Sequence, residues 1–142
     1  MQTFLPYPDF IRSAQTLDWK RLGKQRVEGM QLLKAILGER KLDGNFYNGW
    51  INHPATKMWS SYPDALKVYT NSMINEWILR GYKNNIQLYE VPRNYTIPDW
   101  LGNEFFHASH RSNLLRKDFN YYSQYGWQEQ NDLPYIWPAD SL

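Results

Sequence analysis

A chain of 142 residues is about one domain long and can bury most of the apolar surface that its unfolded state exposes. The absence of cysteine excludes disulfides, thiolate catalysis and cysteine zinc sites together, and fits a reducing compartment such as the cytosol. A formal net charge of only +2 names no partner by itself, no run approaches the roughly 18 apolar residues of a membrane span, and MQTFLPYPDF lacks the basic and apolar regions of a secretion signal.

The opening MQTFLPYPDF is apolar and broken by Pro6 and Pro8, which argues against a strand and predicts an irregular strap packed on the body. A short helix is expected from Asp9 to Thr16. Asp18 then caps a second helix running to about Leu37, where Gly38 stops it. Wound at about 100° per residue, that helix puts Trp19, Leu22, Met30, Leu33 and Leu37 on one side. Arg21, Lys24, Gln25 and Gln31 lie on the other, with Glu28 near their centre. A solvated face would account for this acid, since a Lys24 and Glu28 pair at i, i+4 is worth only about 0.2–0.5 kcal/mol. Arg26 falls on the apolar side, where a guanidinium needs a buried acid or must reach past the core edge to a phosphate.

GERKLDGNFYNGW has loop chemistry. Pro54 suits the first turn of a helix through PATKMWSSY, and Pro63 the start of another to Arg80. That second helix has a buried stripe of Leu66, Tyr69, Met73 and Trp77, an i, i+4 pair of Glu76 with Arg80, and Gly81 at its end. Residues 82–102 form a long ordered connection of the kind that often carries function. A last helix from about Asn103 to Tyr125 is expected to bury Phe105, Ala108, Leu115, Phe119 and Tyr122. Its opposite face then holds His107, His110, Arg111, Leu114, Asp118 and Tyr121. The tail, with Trp127, Tyr135 and Trp137, is expected to lie ordered across the surface. No segment reads as a strand. The fold class is therefore all-α: one compact domain over residues 1–142, with three main helices, long ordered loops and an irregular C-terminal tail.

Bases concentrate in WKRLGKQR and SHRSNLLRK, and two basic helical segments predict a phosphate-binding surface. Glu104 and His107 have the i, i+3 spacing of carboxylate-bridged metal sites, but such sites need a second copy, which the chain lacks. A metal-dependent hydrolase on Glu104, His107 and His110 is thus the weaker alternative, and neither metal nor cofactor is expected. No Gly-x-Gly-x-x-Gly or Walker sequence occurs. Amines are better candidates for nucleophiles. Lys24 lies one turn before Glu28, and the chain terminus can reach the same face. A free α-amine has a pKa of about 7.7–8.0 against about 10.4 for lysine, so more of it is uncharged at neutral pH.

Three segments, in order and over most of the chain, carry a family likeness. LGKQRVE keeps a six-residue offset from Leu22 to Glu28, EWILRGYKNNI matches a glutamate, basic, arginine, glycine and aromatic helix end, and HASHRSNLLRKDFNYYSQYG matches a last helix with its aromatic close. Together they resemble the pyrimidine-dimer DNA glycosylase family, the group of phage endonuclease V. TFLPYPDF, RLGKQRVE, NHPATKMW and FHASHRSNLLRK are similar to a microbial subgroup of that family.

The resemblance implies a compact helical fold without metal, and attack by an N-terminal α-amine on the deoxyribose C1′ of a damaged nucleotide. A carboxylate then assists base loss and removes the C2′ proton, so that the strand breaks by β-elimination. Glu28 corresponds to that carboxylate. Gln2 is bulky enough to leave Met1 in place, so the amine is that of Met1. Arg21, Lys24 and Gln25 are then expected to hold phosphates on either side of the site, with Arg26, His110, Arg111, Arg116 and Lys117 also turned toward DNA. The family's arginine directly precedes its glutamate, whereas Val27 separates Arg26 from Glu28 here. The implied partner is damaged or modified double-stranded DNA, bound by a cytoplasmic monomer. A DNA-binding module without catalysis is the alternative of a different class.

Overall fold

The computed structural model describes residues 1–39, 43–45 and 51–138, so most of the GERKLDGNFYNGW loop lies outside the described residues. Side-chain caps begin the helices where the sequence places them. Asp9 accepts the Arg12 N–H at 3.0 Å and starts α1 (Phe10–Thr16), and Asp18 accepts the Arg21 N–H at 3.4 Å and starts α2 (Trp19–Ile36). Pro54 and Pro63 occupy the first turns of α3 (Pro54–Trp59) and α4 (Pro63–Leu79). Gly38 takes φ 68° just past α2, and Gly81 takes φ 91° just past α4, the left-handed conformation in which a Cβ is costly.

The helix α2 packs along α4, and contact is closest at Gly29, where an added Cβ would stand 2.3 Å from Thr70 Oγ1. Leu22, Leu32 and Leu33 of α2 meet Ala65, Leu66, Tyr69 and Met73 of α4 in the core. Trp59 of α3 fills the space beside them, with ring centroids 5.7 Å from Tyr69 and 4.9 Å from Trp100 in the ordered connection after α4. Leu22 and Leu33 are buried as their spacing requires, but Trp19 is 54% and Leu37 49% exposed, because the two ends of α2 overrun the core.

The C-terminal third departs from expectation. Instead of one long helix there is α5 (Glu104–Lys117), a break at Asp118 with φ −153° and ψ 78°, then α6 (Phe119–Tyr122) and a 3-10 turn at Ser123–Tyr125. Leu115 and Tyr122 are buried as expected, but the rest of the expected face does not hold. Phe105 is 77% and Phe119 61% exposed, whereas His107 and His110 are at 0% and Arg111 at 8%. The reason is the neighbour: the irregular strap of residues 1–9 crosses this face, and its backbone groups have to be satisfied by side chains. The tail lies ordered as expected. Trp127 stacks on Tyr122 at 5.7 Å, and Ser109, Ser112 and Asn113 of α5 bind the backbone of Ile136, Leu133 and Gln130. The class is all-α and compact, with no strand and no helix long and apolar enough to cross a membrane among the described residues.

Candidate active site

Residues 2–6 have no helix or sheet ladder, and side chains from four helices take over their hydrogen bonds. Gln25 Nε2 donates to the Gln2 carbonyl at 2.8 Å, and Gln25 Oε1 accepts the Phe4 N–H at 3.0 Å. Trp59 Nε1 donates to Thr3 Oγ1 at 2.9 Å, and the Tyr69 hydroxyl to the Phe4 carbonyl at 2.9 Å. From α5, His110 Nδ1 accepts the Leu5 N–H at 2.9 Å, His107 Nδ1 donates to the Leu5 carbonyl at 2.8 Å, and Arg111 Nη1 donates to the Pro6 carbonyl at 2.8 Å. The His107 tautomer follows from its Nε2, which accepts the Gly102 N–H at 2.9 Å. The strap is thereby held from both sides up to its first residue.

That first residue opens on a cleft of about 380 Å³. Met1, Gln2 and Glu28 line it together with Lys20, Arg21, Lys24 and Lys117, while Phe4 and Tyr135 give it an apolar side. The Glu28 carboxyl accepts from Gln25 Nε2 at 3.0 Å, and it lies in the field of the terminal ammonium and of the Gln2 N–H.

Burial raises the Glu28 pKa above the ordinary carboxylate range, against the opposing pull of the terminal ammonium, the Gln2 N–H, Lys24 and Gln25. Burial lowers the Lys117 pKa, helped by the like charges of Arg21, Arg116 and Lys24. Burial also holds the Tyr135 phenol up at about 12, so it remains a neutral donor beside the acid.

The expected site residues separate into three groups. Met1, Arg21, Lys24, Glu28 and Lys117 come together in the cleft. Arg21 is partly tethered by Asp18 at 3.2 Å. Gln25 lines the cleft as well, but it is 1% exposed and its amide bonds inward. Arg116 is exposed beside the cleft, donating to the Asn131 carbonyl at 3.1 Å and to Asn113 Oδ1.

The other three are corrected by their surroundings. Arg26 is 9% exposed, lies 4.4 Å over the Trp77 ring and donates to Asn84 Oδ1 at 2.7 Å, so a ring and an amide stand where an acid or phosphate was expected. His110 is fully buried, its Nε2 finds no partner, and desolvation followed by the charge of His107 pushes its pKa down to about 3. Arg111 is paired with Glu129 at 2.5 Å and with Glu104; burial lowers its pKa, but those bonds outweigh burial and raise it. His110 and Arg111 hold the strap and are turned into the protein. Glu104, His107 and His110 are thus engaged with Arg111 and Leu5, and among the described residues no three His, Asp or Glu side chains gather as metal ligands.

The cleft includes residues that the sequence reading did not single out. Lys20, Lys24 and Glu28 follow at i, i+4 and i+8 on one ridge of α2, a spacing from which Lys20 was readable. Phe4 and Tyr135 reach the cleft from the strap and the tail, and no local pattern announces them.

A family model described as pyrimidine dimer DNA glycosylase matches residues 1–90, the span that contains the strap, α2, α3 and α4. No curated protein and no solved structure matches the chain.

Proposed function

The chain belongs to the pyrimidine dimer DNA glycosylase family, and from that premise we propose that it excises a damaged base and then cleaves the strand, with the Met1 α-amine as nucleophile and Glu28 as acid and base. One observation carries this reading: the chain's α-amine and a half-buried carboxyl share a single cleft rimmed by lysine and arginine. A sugar seated between the two meets an attacking nitrogen and a proton acceptor together. The rim of Lys20, Arg21, Lys24 and Lys117 neutralises the flanking phosphates.

In the first step the uncharged amine forms a bond to C1′, the C1′–N glycosidic bond breaks, and the base leaves with the electron pair and takes up a proton. The amine proton passes to O4′ as the C1′–O4′ bond breaks and the sugar ring opens, which leaves an iminium linking Met1 to C1′. Glu28, as carboxylate, next accepts the C2′ proton. The C2′–H electrons form a C2′–C3′ double bond and the 3′ C–O bond breaks, releasing the phosphate. A carboxyl whose pKa is raised by burial suits both exchanges, because its two protonation states lie closer in energy at the working pH.

Borohydride reduction on duplexes carrying an ultraviolet-induced dimer or an abasic site tests the proposal. A covalent protein–DNA adduct is expected, and Glu28→Gln or an N-terminal extension should lower strand cleavage by about 10²-fold or more. Undiminished cleavage in both variants would overturn the assignment, and salt-dependent binding with no adduct on any lesion would leave a binding module without catalysis.

A further inference from the structure

Four hydrogen-bonding partners of one buried side chain bear on the spacing of the two reacting groups. Gln25 Nε2 donates to the Gln2 carbonyl at 2.8 Å and to Glu28 Oε2 at 3.0 Å. Its Oε1 accepts the Phe4 N–H at 3.0 Å and faces the Tyr69 hydroxyl at 2.5 Å. The amide has two protons and two lone pairs, and all are used inside the protein. At 1% exposure it has nothing left for a phosphate. Exchanging its oxygen and nitrogen would set like groups against Gln2, Phe4 and Glu28 at once, so the amide has one orientation.

We infer that Gln25 is a positioning residue, whose amide fixes the distance between the Met1 amine and the Glu28 carboxyl by bonding the strap with one hand and the acid with the other. This rests on the reading of Met1 and Glu28 given above. The strap side of the clamp begins one residue from the amine, at the Gln2 carbonyl, and is repeated two residues later at Phe4. The acid side is a single N–H to the carboxylate, which favours its charged form. Tyr69 backs the clamp from α4. It is fully buried, and its phenol is raised well above its ordinary range by burial and by the Glu28 charge, so it stays protonated and its single hydrogen is shared between Gln25 Oε1 and the Phe4 carbonyl. The clamp therefore spans three elements: strap, α2 and α4.

Single-turnover borohydride trapping on abasic-site DNA tests the inference with Gln25→Ala and Gln25→Glu, each checked for folding by circular dichroism. Gln25→Glu keeps the shape and the acceptor for Phe4 while deleting both N–H bonds, so it remains informative if Gln25→Ala fails to fold. In both variants the trapping rate at saturating DNA should fall roughly 100-fold, the loss expected of a reacting pair misplaced by about 1 Å. In Gln25→Ala the DNA concentration for half-saturation should not change, whereas Gln25→Glu adds a negative charge to the basic cleft and is read by its rate at saturation alone; in both, the acid limb of the rate against pH should move to higher pH as Glu28 loses a donor. Wild-type rates at saturation, with weaker binding and a changed salt slope, would make Gln25 a phosphate contact and overturn the inference. Failure of the wild-type protein to form an adduct would overturn the Met1 and Glu28 reading itself, a result distinct from a defect confined to the variants.

Discussion

The two densest basic segments of the chain lie on α2 and α5, and although Lys117 at the end of α5 joins the cleft, most of the α5 segment is used differently from that of α2. On α2, Lys20, Arg21 and Lys24 line an open cleft around an acid. On α5, His107, His110 and Arg111 turn inward onto Leu5 and Pro6. The difference follows from what each helix packs against. The polar ridge of α2 borders solvent, where a lysine keeps its hydration. The polar face of α5 meets a strap without secondary structure, whose N–H and C=O groups need partners that an apolar face lacks. The ridge of α2 turns its charges toward the cleft and the inward face of α5 holds the strap, so basic composition alone does not mark an interface.

The largest effect that separates the two helices is catalytic. Glu28→Gln on α2 should lower strand cleavage by about 10²–10⁴-fold, the usual worth of a general acid or base, with DNA affinity kept; single-turnover cleavage and filter binding would check it. Next comes stability on the α5 side. His110→Ala removes the acceptor of the buried Leu5 N–H and leaves a cavity beside Phe4 and Phe106. The expected loss is about 2–4 kcal/mol in urea unfolding.

Smaller changes concern binding. Lys24→Met or Lys117→Met should weaken DNA binding several-fold and reduce the slope of log affinity against log salt by about 0.9 each. Substitutions of Arg111 should leave that slope unchanged in whatever folded protein remains. A gentle effect is expected with pH. His110 is depressed to about 3 and His107 is also lowered, both first by burial, so the unfolded chain binds more protons below the ordinary histidine range. Stability should therefore fall as pH drops from about 6.5 toward 3, and the decline should flatten in a His110 variant, as read by thermal melts across that range. The smallest change has the opposite sign. The Glu28 pKa is raised, so its charge costs stability as pH rises through and above the ordinary carboxylate range, and Glu28→Gln should melt slightly higher at neutral pH.

Legibility in the sequence followed the range of the interactions. Asp9, Asp18, Pro54 and Pro63 act within one turn of their own backbone, so the starts of α1 to α4 were readable, as were the glycine stops at Gly38 and Gly81. Glu28 stood out among Arg21 and Lys24 because all three share one helix ridge. On α5 and α6 periodicity places Leu115 and Tyr122 correctly but ranks His107, His110 and Arg111 as polar and Phe105 and Phe119 as apolar. What buries them is a segment about a hundred residues away that offers carbonyls and amides instead of methyl groups. The hydrogen bonds of Gln25 are hidden for the same reason: its partners at Gln2, Phe4 and Tyr69 are remote in sequence, so an amide on a basic ridge has the pattern of a phosphate ligand.

The central claim is that the amine delivered by the strap, and no lysine of the basic rim, bonds to the sugar. Digestion of the borohydride-trapped complex and mass spectrometry of the DNA-linked peptide tests this most directly. The account predicts the reduced sugar on the α-nitrogen of Met1. Attachment to the side chain of Lys20, Lys24 or Lys117 would contradict it.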